Sequence, residues 1–242
     1  MSIIRIATYN IHKCVGLDRK YRPERIAEVL REIDADIIAL QEVSNNSLTV
    51  EIGRQAEFIS KTLLMDFRLG HNRFINGGEY GNAVLSRLPI KDHKNYDISV
   101  KRYERRGCLW AGIEIGSSEL QFLNVHFGTS FFERRLQVKK LLADEALGSS
   151  LLSGKCIIAG DFNEWTNGLT TKLLRKQFKS VEPKLHLGKS RTYPGILPLF
   201  HLDNIYFDRA FSLQRAWLHR SRKSLIASDH LPIVAEFLVN SK

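Results

Sequence analysis

Short apolar runs that begin or stop at an acid, an amide or a histidine recur along the whole chain, and they constrain its fold more than any other feature. "IIRIATYN" stops at Asn10, "DIIALQE" at Glu42, "ELQFLNVH" at His126, and "KCIIAGDFN" at Asp161 and Asn163. "LDNIYF" opens with Asp203 next to its first residue, and "SDHLPIVAEF" carries Asp229 and His230 at its entrance. Runs of this length, rich in Ile, Val, Leu and Phe, read as buried strands. Further strands are expected at "YGNAVLS", "LPIKDHKNYDISV", "CLWAGIEI" and "FSLQRAWLH".

Helical spacing fills the gaps. "PERIAEVLREI" puts Ile26, Val29, Leu30 and Ile33 on one face, with Pro23 at a permitted first-turn position. "EIGRQAEFISKTLL" repeats the pattern, "FFERRLQVKKLLADEAL" is a third helix, and a short fourth is expected near 168–178. Mixed strands with helices in both halves imply sheets covered by helices. A chain of 242 residues with 43% hydrophobic content can bury one large core, and no linker or tandem repeat divides it. A single domain over 1–242 is therefore expected. A fainter echo links "NIH" at 10–12 with "NVH" at 124–126, and "IIALQE" at 37–42 with "IIAGDF" at 157–162. If structural, it means two similar β-rich halves packed face to face.

Several classes are set aside. "MSIIRIATYN" lacks the apolar core and cleavage site of a signal peptide, and no run approaches membrane-spanning length. Cys14, Cys108 and Cys156 are far apart and offer no C-x-x-C pair for zinc or redox chemistry. A reducing, cytoplasmic setting is expected, with a monomer assumed. The formal charge is +10, with basic clusters at "KRYERR" 101–106, "KLLRKQFK" 172–179 and "HRSRK" 219–223. Such a field suits polyanionic partners: nucleic acid, an anionic phospholipid surface or a phosphorylated metabolite.

One polar residue at a strand end is usually a cap; a whole series of acids, amides and histidines there is a candidate site, because strand ends converge side chains on a rim. Carboxylate and amide oxygens suit Mg²⁺ or Mn²⁺, and a histidine beside a carboxylate can act as a general base. Together they describe metal-assisted attack of water on a phosphate ester. No G-x-S-x-G elbow, Walker loop or H-E-x-x-H competes.

The series "TYNIH", "LQEV", "GNAVLSRLPI", "NVHF", "GDFN", "LDNIYF" and "SDHLPI" resembles, in order and across the chain, the endonuclease/exonuclease/phosphatase (DNase I-like) superfamily. The resemblance implies a four-layer αββα sandwich, two mixed β-sheets packed face to face with helices outside, in a small bacterial-type member. It implies a metal held by Glu42, with Asn10 and Asp229 helping. It makes His230 the general base and Asp203 its orienting partner, Asp161 and Asn163 the groups that position the nucleophile, and His126 a donor to the phosphoryl group. The base role falls to Asp161 in an alternative assignment. Arg106 is a candidate phosphate clamp or a surface arginine, and Glu79 a candidate carboxylate partner of His126 or a solvated turn acid. His12 and Cys156 read as structural.

His126 stands where apurinic endonucleases carry a "Y-x-P-N"-like segment, which favours the nuclease, sphingomyelinase and phosphatase side. Three functions stay open: a phosphodiesterase acting on nucleic acid or a phospholipid head group, a phosphomonoesterase for a small phosphorylated molecule, and an inactive binding or regulatory module. "RTYPGILPLFHLD" at 191–203 is expected to form a lip at the site, since its prolines exclude a regular helix or central strand.

Overall fold

The computed structural model describes residues 3–45, 54–75, 77–143, 155–164, 168–181, 192–194 and 201–239. The first sheet contains β1 (Ile3–Asn10), β2 (Ile37–Asn45), β3 (Asp66–Ile75), β4 (Gly78–Ser86), β11 (Phe211–Leu218) and β12 (Ile233–Val239), in the order β11-β12-β1-β2-β4-β3. The second contains β5 (Ile90–Asp97), β6 (Gly107–Ile115), β7 (Ser118–His126), β8 (Cys156–Asp161), β9 (Lys179–Ser180) and β10 (Asp203–Phe207), in the order β5-β6-β7-β8-β10-β9. Helices α1 (Pro23–Ile33) and α2 (Gln55–Leu63) belong to the first half; α3 (Phe131–Ala143) and the short α4 (Leu169–Leu174) belong to the second; α5 (Ser224–Ala227) is a single turn before β12.

The apolar runs are continuous because their strands are buried on both faces. In β2, Ile37 and Ala39 pack between the sheets, whereas Ile38 and Leu40 pack under α1 and α2. In β8, Ile157 and Ala159 face inward while Cys156 and Ile158 face α3 and α4. The inter-sheet layer also takes Ile6, Phe122, Ile205 and Phe237. The result is the αββα four-layer sandwich with two mixed sheets.

Each sheet has one parallel pair at its centre: β1 with β2, and β7 with β8. Each pair is joined by a crossover that contains a helix, α1 or α3, and the two pairs pack against one another across the interface. These units carry the sequence echo. The remaining pairings are antiparallel. Consequently the C-terminal ends of β1, β2, β7 and β8 meet the start of β10 and the entrance to β12 at one edge of the sandwich.

Strand β3 has no counterpart among the sequence expectations. It is an edge strand, largely half-exposed, with a register shift between His71 and Arg73 that breaks its alternation. Strand β9 and helix α5 are likewise too short to carry a periodic signal. Part of "EIGRQAEFISKTLL" and the end of "FFERRLQVKKLLADEAL" lie outside the described residues. Among the described residues, no helix is long and apolar enough to cross a membrane.

Candidate functional site

Glu42 reaches the edge through a break in its own strand. Leu40 pairs with Ala83 and Val43 with Gly81, so Gln41 and Glu42 bulge out opposite Asn82. The bulge puts Glu42 at φ +56°, a left-handed conformation that costs a non-glycine residue about 1 kcal/mol. It is held by the opposite sheet: Asn124 of β7 donates to the carbonyls of Leu40 and Ala83, both at 2.8 Å, and accepts from Gln41 Nε2 at 2.8 Å. Backbone groups loosened by the bulge are thereby satisfied in a dry interior.

Two hydrogen-bond donors meet Glu42. Asn10 Nδ2 lies 3.2 Å from Oε1, and Lys13 Nζ lies 3.1 Å from Oε2. Burial opposes ionisation of the carboxyl, but the Lys13 ammonium and the two hydrogen bonds favour the carboxylate and hold the pKa below the ordinary value. Asn10 turns its amide oxygen to the backbone N–H of His12 at 3.1 Å, so it presents nitrogen to the carboxylates. Asp229 lies beside His12, 3.6 Å from Nδ1.

Asp161 is the hub of the other half. Gly160, just before it, runs so close to β7 that a Cβ there would sit 2.0 Å from the Val125 carbonyl oxygen, which explains the glycine in "GDFN". Asp161 Oδ1 accepts the Asn163 backbone N–H at 2.9 Å, and Asn163 Nδ2 donates to the Phe127 carbonyl at 2.9 Å. Asp161 Oδ2 accepts from Asn10 Nδ2 at 3.1 Å across the two sheets. The same oxygen lies 3.7 Å from His126 Nε2 and 3.8 Å from His230 Nε2. Those last two separations exceed a direct hydrogen bond and are of the size that a water bridges.

Behind His230, Asp203 Oδ2 lies 2.9 Å from Nδ1, with both side chains buried. Burial disfavours the imidazolium, but Asp203 at contact, then Asp161 and Asp229, overcome that and push His230 up to about 10. Asp161 moves to about 7, raised by burial and Asp203 against the pull of His230. His230 is therefore protonated at neutral pH, and Asp161 titrates near it. Asp203 Oδ1 is buried and has no hydrogen-bond partner. Asp161, Asp203 and His230 also lie close enough to share one ion, each giving an atom within 4.8 Å of the others.

Arg106 is buried, and its Nη1 is 2.9 Å from His126 Nδ1. The same Nη1 lies 3.2 Å from Nε2, and because a guanidinium can only donate, one of the two ring nitrogens accepts from it. Burial and then Arg106 push His126 well below the ordinary histidine range, leaving it neutral. Arg106 Nη2 donates to Glu104 at 2.9 Å, and Arg73 pairs with the other Glu104 oxygen. Of the two alternatives for Glu79 the structure shows the exposed acid: it lies 3.8 Å from His71, and a guanidinium stands beside His126.

Of the candidates named from the sequence, Asn10, Glu42, Arg106, His126, Asp161, Asn163, Asp203, Asp229 and His230 gather at this edge, and Glu79 does not. Lys13, Glu104 and Arg73 belong to it and were not anticipated; Lys13 adjoins "TYNIH" and Glu104 sits in "KRYERR", so proximity to a motif was the available signal. In the proline-containing segment, Thr192 bonds to the Leu231 N–H and the Tyr193 ring lies 5.0 Å from that of His230. Arg191, Leu197, Leu199 and Phe200 lie outside the described residues.

Residues 7–230 match the family model described as Endonuclease/Exonuclease/phosphatase family. The uncharacterized protein YbhP of Escherichia coli strain K12 is 32% identical over 250 residues, covering 96% of this chain and 95% of its own. A functionally unknown conserved protein from Enterococcus faecalis V583 superposes with a TM-score of 0.83 at 21% identity, over 98% of this chain and 100% of that one. A mannosyl-6-phosphatase from Bacteroides thetaiotaomicron VPI-5482 gives 0.74 at 20% identity, over 97% and 99%. These two structures share the fold. Enzymes of the matched family hydrolyse phosphoester bonds and typically use a divalent metal. A whole-length relative, a family match over nearly the whole chain and the four-layer sandwich agree: this chain belongs to the endonuclease/exonuclease/phosphatase family.

Proposed function

We propose that the chain is a divalent-cation-dependent phosphodiesterase, acting as a single domain over 1–242. The observation that carries this reading is the meeting of three side chains on Asp161 Oδ2: Asn10 at 3.1 Å, His126 at 3.7 Å and His230 at 3.8 Å. A water between them would face one carboxylate able to take a proton and two imidazole rings able to steady a phosphoryl oxygen.

The oxygen donors fit a hard cation such as Mg²⁺ or Mn²⁺. Glu42 is ionised and partly open to solvent, Asp229 is similarly open, and Lys13 already supplies a positive charge at Glu42. Glu42 and Asp229 would hold the ion, with Asn10 orienting Glu42. When bound, the cation polarises the phosphoryl group and offsets charge that builds on it.

The chain's own groups divide the remaining work. Asp161, near 7, accepts the proton of the attacking water, a better match to neutral pH than His230 near 10. His230, held protonated by Asp203, donates Nε2–H to the phosphoryl group. His126, held in place by Arg106, faces the phosphoryl group beside Asp161, and Asn163 fixes Asp161 through its backbone N–H. Arg106 is therefore a positioning residue here, with both terminal nitrogens engaged within the protein.

Turnover of bis(p-nitrophenyl) phosphate and p-nitrophenyl phosphate, in EDTA and after adding Mg²⁺ or Mn²⁺, tests the reading. The diester should be cleaved only with metal and faster than the monoester. Full turnover in EDTA removes the metal, and cleavage of the monoester alone makes the enzyme a phosphomonoesterase. No turnover of either with metal present points to a binding module.

A further inference from the structure

Helix α3 is turned inside out at its N-terminal end. Its buried side carries Glu133, Arg134 and Gln137, whereas Phe131, Phe132 and Leu136 face solvent at 52%, 68% and 49% exposure. The polar groups are engaged within the fold: Arg134 Nη1 donates to the Gly128 and Thr129 carbonyls, and Gln137 accepts from Gly128 N–H at 2.8 Å while donating to Glu133. Folding therefore satisfies the buried face and leaves an aromatic ridge exposed to solvent. The solvent face continues with Arg135, Lys139 and Lys140, and among its described residues it carries no acid.

The neighbouring loop adds to this surface. Lys140 Nζ donates to the Ser99 carbonyl at 3.4 Å, which places α3 beside 98–106, where Lys101, Arg102 and Arg105 are exposed together with Tyr103 at 43%. The acids nearby are engaged: Glu104 by Arg73 and Arg106, and Asp97 by the N–H of Ser99. Phe131 follows His126 by only five residues, and the Gly128–Thr129 turn between them is pinned by Arg134. The ridge consequently stands at the rim of the candidate site.

We propose that this face docks on an anionic lipid bilayer, with Phe131, Phe132 and Leu136 entering the head-group boundary and the cations meeting lipid phosphates. An apolar ridge bordered by Lys and Arg is the pattern of an interfacial helix. Stacking on single-stranded nucleic acid fits less well. The two phenyl rings pack edge to face, 5.7 Å apart at 79°, so they present a joint ridge rather than open parallel faces, and Leu136 has no ring to stack. Resting on the phosphodiesterase reading, docking would bring a phospholipid head group to His126 and Asp161.

Co-sedimentation with vesicles of phosphatidylcholine alone and of phosphatidylcholine mixed with phosphatidylglycerol reads the docking without reference to activity. The chain should bind the mixed vesicles. The doubly substituted Phe131→Ser, Phe132→Ser variant should bind them roughly 10-fold more weakly. Arg135→Gln, Lys139→Gln and Lys140→Gln should each cost about fivefold on mixed vesicles, in line with the contribution of one cation near an anionic surface. All these positions are exposed, so circular dichroism should be unchanged, as should turnover of the soluble diester. No binding to mixed vesicles, equal binding to neutral ones, or indifference to the Phe substitutions overturns the proposal. So does Phe-dependent binding to a single-stranded oligonucleotide, or a Phe-dependent dimer with no vesicle binding. Vesicle binding with no diester turnover would instead remove the phosphodiesterase reading and leave the docking surface standing.

Discussion

Replacing Asp203 with Asn isolates the electrostatic work of the buried dyad, because the substitution keeps the shape and removes the charge. Asp203 Oδ2 lies 2.9 Å from His230 Nδ1, and the two side chains are 1% and 6% exposed, so solvent screening is small. The folded state holds the His230 proton with a pKa of about 10, against an ordinary histidine value near 6.5. That gap corresponds to roughly 5 kcal/mol, with about 1.4 kcal/mol per tenfold. Breaking a buried pair by removing one partner costs about 3–5 kcal/mol, which agrees. The sign follows from the raised folded pKa: the contribution is fully present below about 6.5 and is lost as pH rises through about 10. In Asp203→Asn it is largely absent throughout, with Asp161 retaining part of it. Urea unfolding followed by tryptophan fluorescence, in EDTA at about pH 6, 8 and 10, should show a destabilisation of about 3–5 kcal/mol at the lowest pH that shrinks steadily towards the highest. An equal destabilisation at all three values would refute the argument, since a packing or hydrogen-bond defect does not titrate in that window.

The remaining predictions concern Asp161, Arg106 and Asn124. Burial and Asp203 raise Asp161 to about 7, so in EDTA its carboxyl ¹³C signal should titrate well above the ordinary carboxylate range, and a signal already level below that range would exclude Asp161 as proton acceptor. Arg106→Met removes a cation that opposes protonation of His126, so the imidazole should titrate at higher pH, moving its ¹⁵N signals and lowering kcat by about 10²; Arg106→Lys should recover part of both, and unchanged signals would detach Arg106 from His126. Asn124→Ala strands the Leu40 and Ala83 carbonyls and the Gln41 amide, so the urea midpoint should fall by an amount on the order of 3 kcal/mol at constant m, whereas a loss near zero would mean that the bulge is satisfied otherwise.

The sequence by itself determined the layers and the rim. Strands such as "IIALQ" and "CIIAG" are apolar on both faces, and that pattern is intelligible only in a sheet covered on each side, which is how Ile37 and Ile38 are divided between the inter-sheet layer and the helices. It also put acids, amides and histidines at the ends of buried strands, and a polar side chain at such an end meets the rim. Tertiary structure decided the electrostatics. No local pattern reveals that the bulge at Gln41–Glu42 is held by Asn124 of the other sheet, or that Asp161 accepts from Asn10 of β1. Nor does the sequence show that His126 is backed by Arg106 and not by Glu79, a neighbour that together with burial keeps the ring neutral. Protonation depends on burial and on charges within a few ångströms, and those distances arise only when the two sheets close on each other, as they do in bringing Asn10 to Asp161, 151 positions away in the chain.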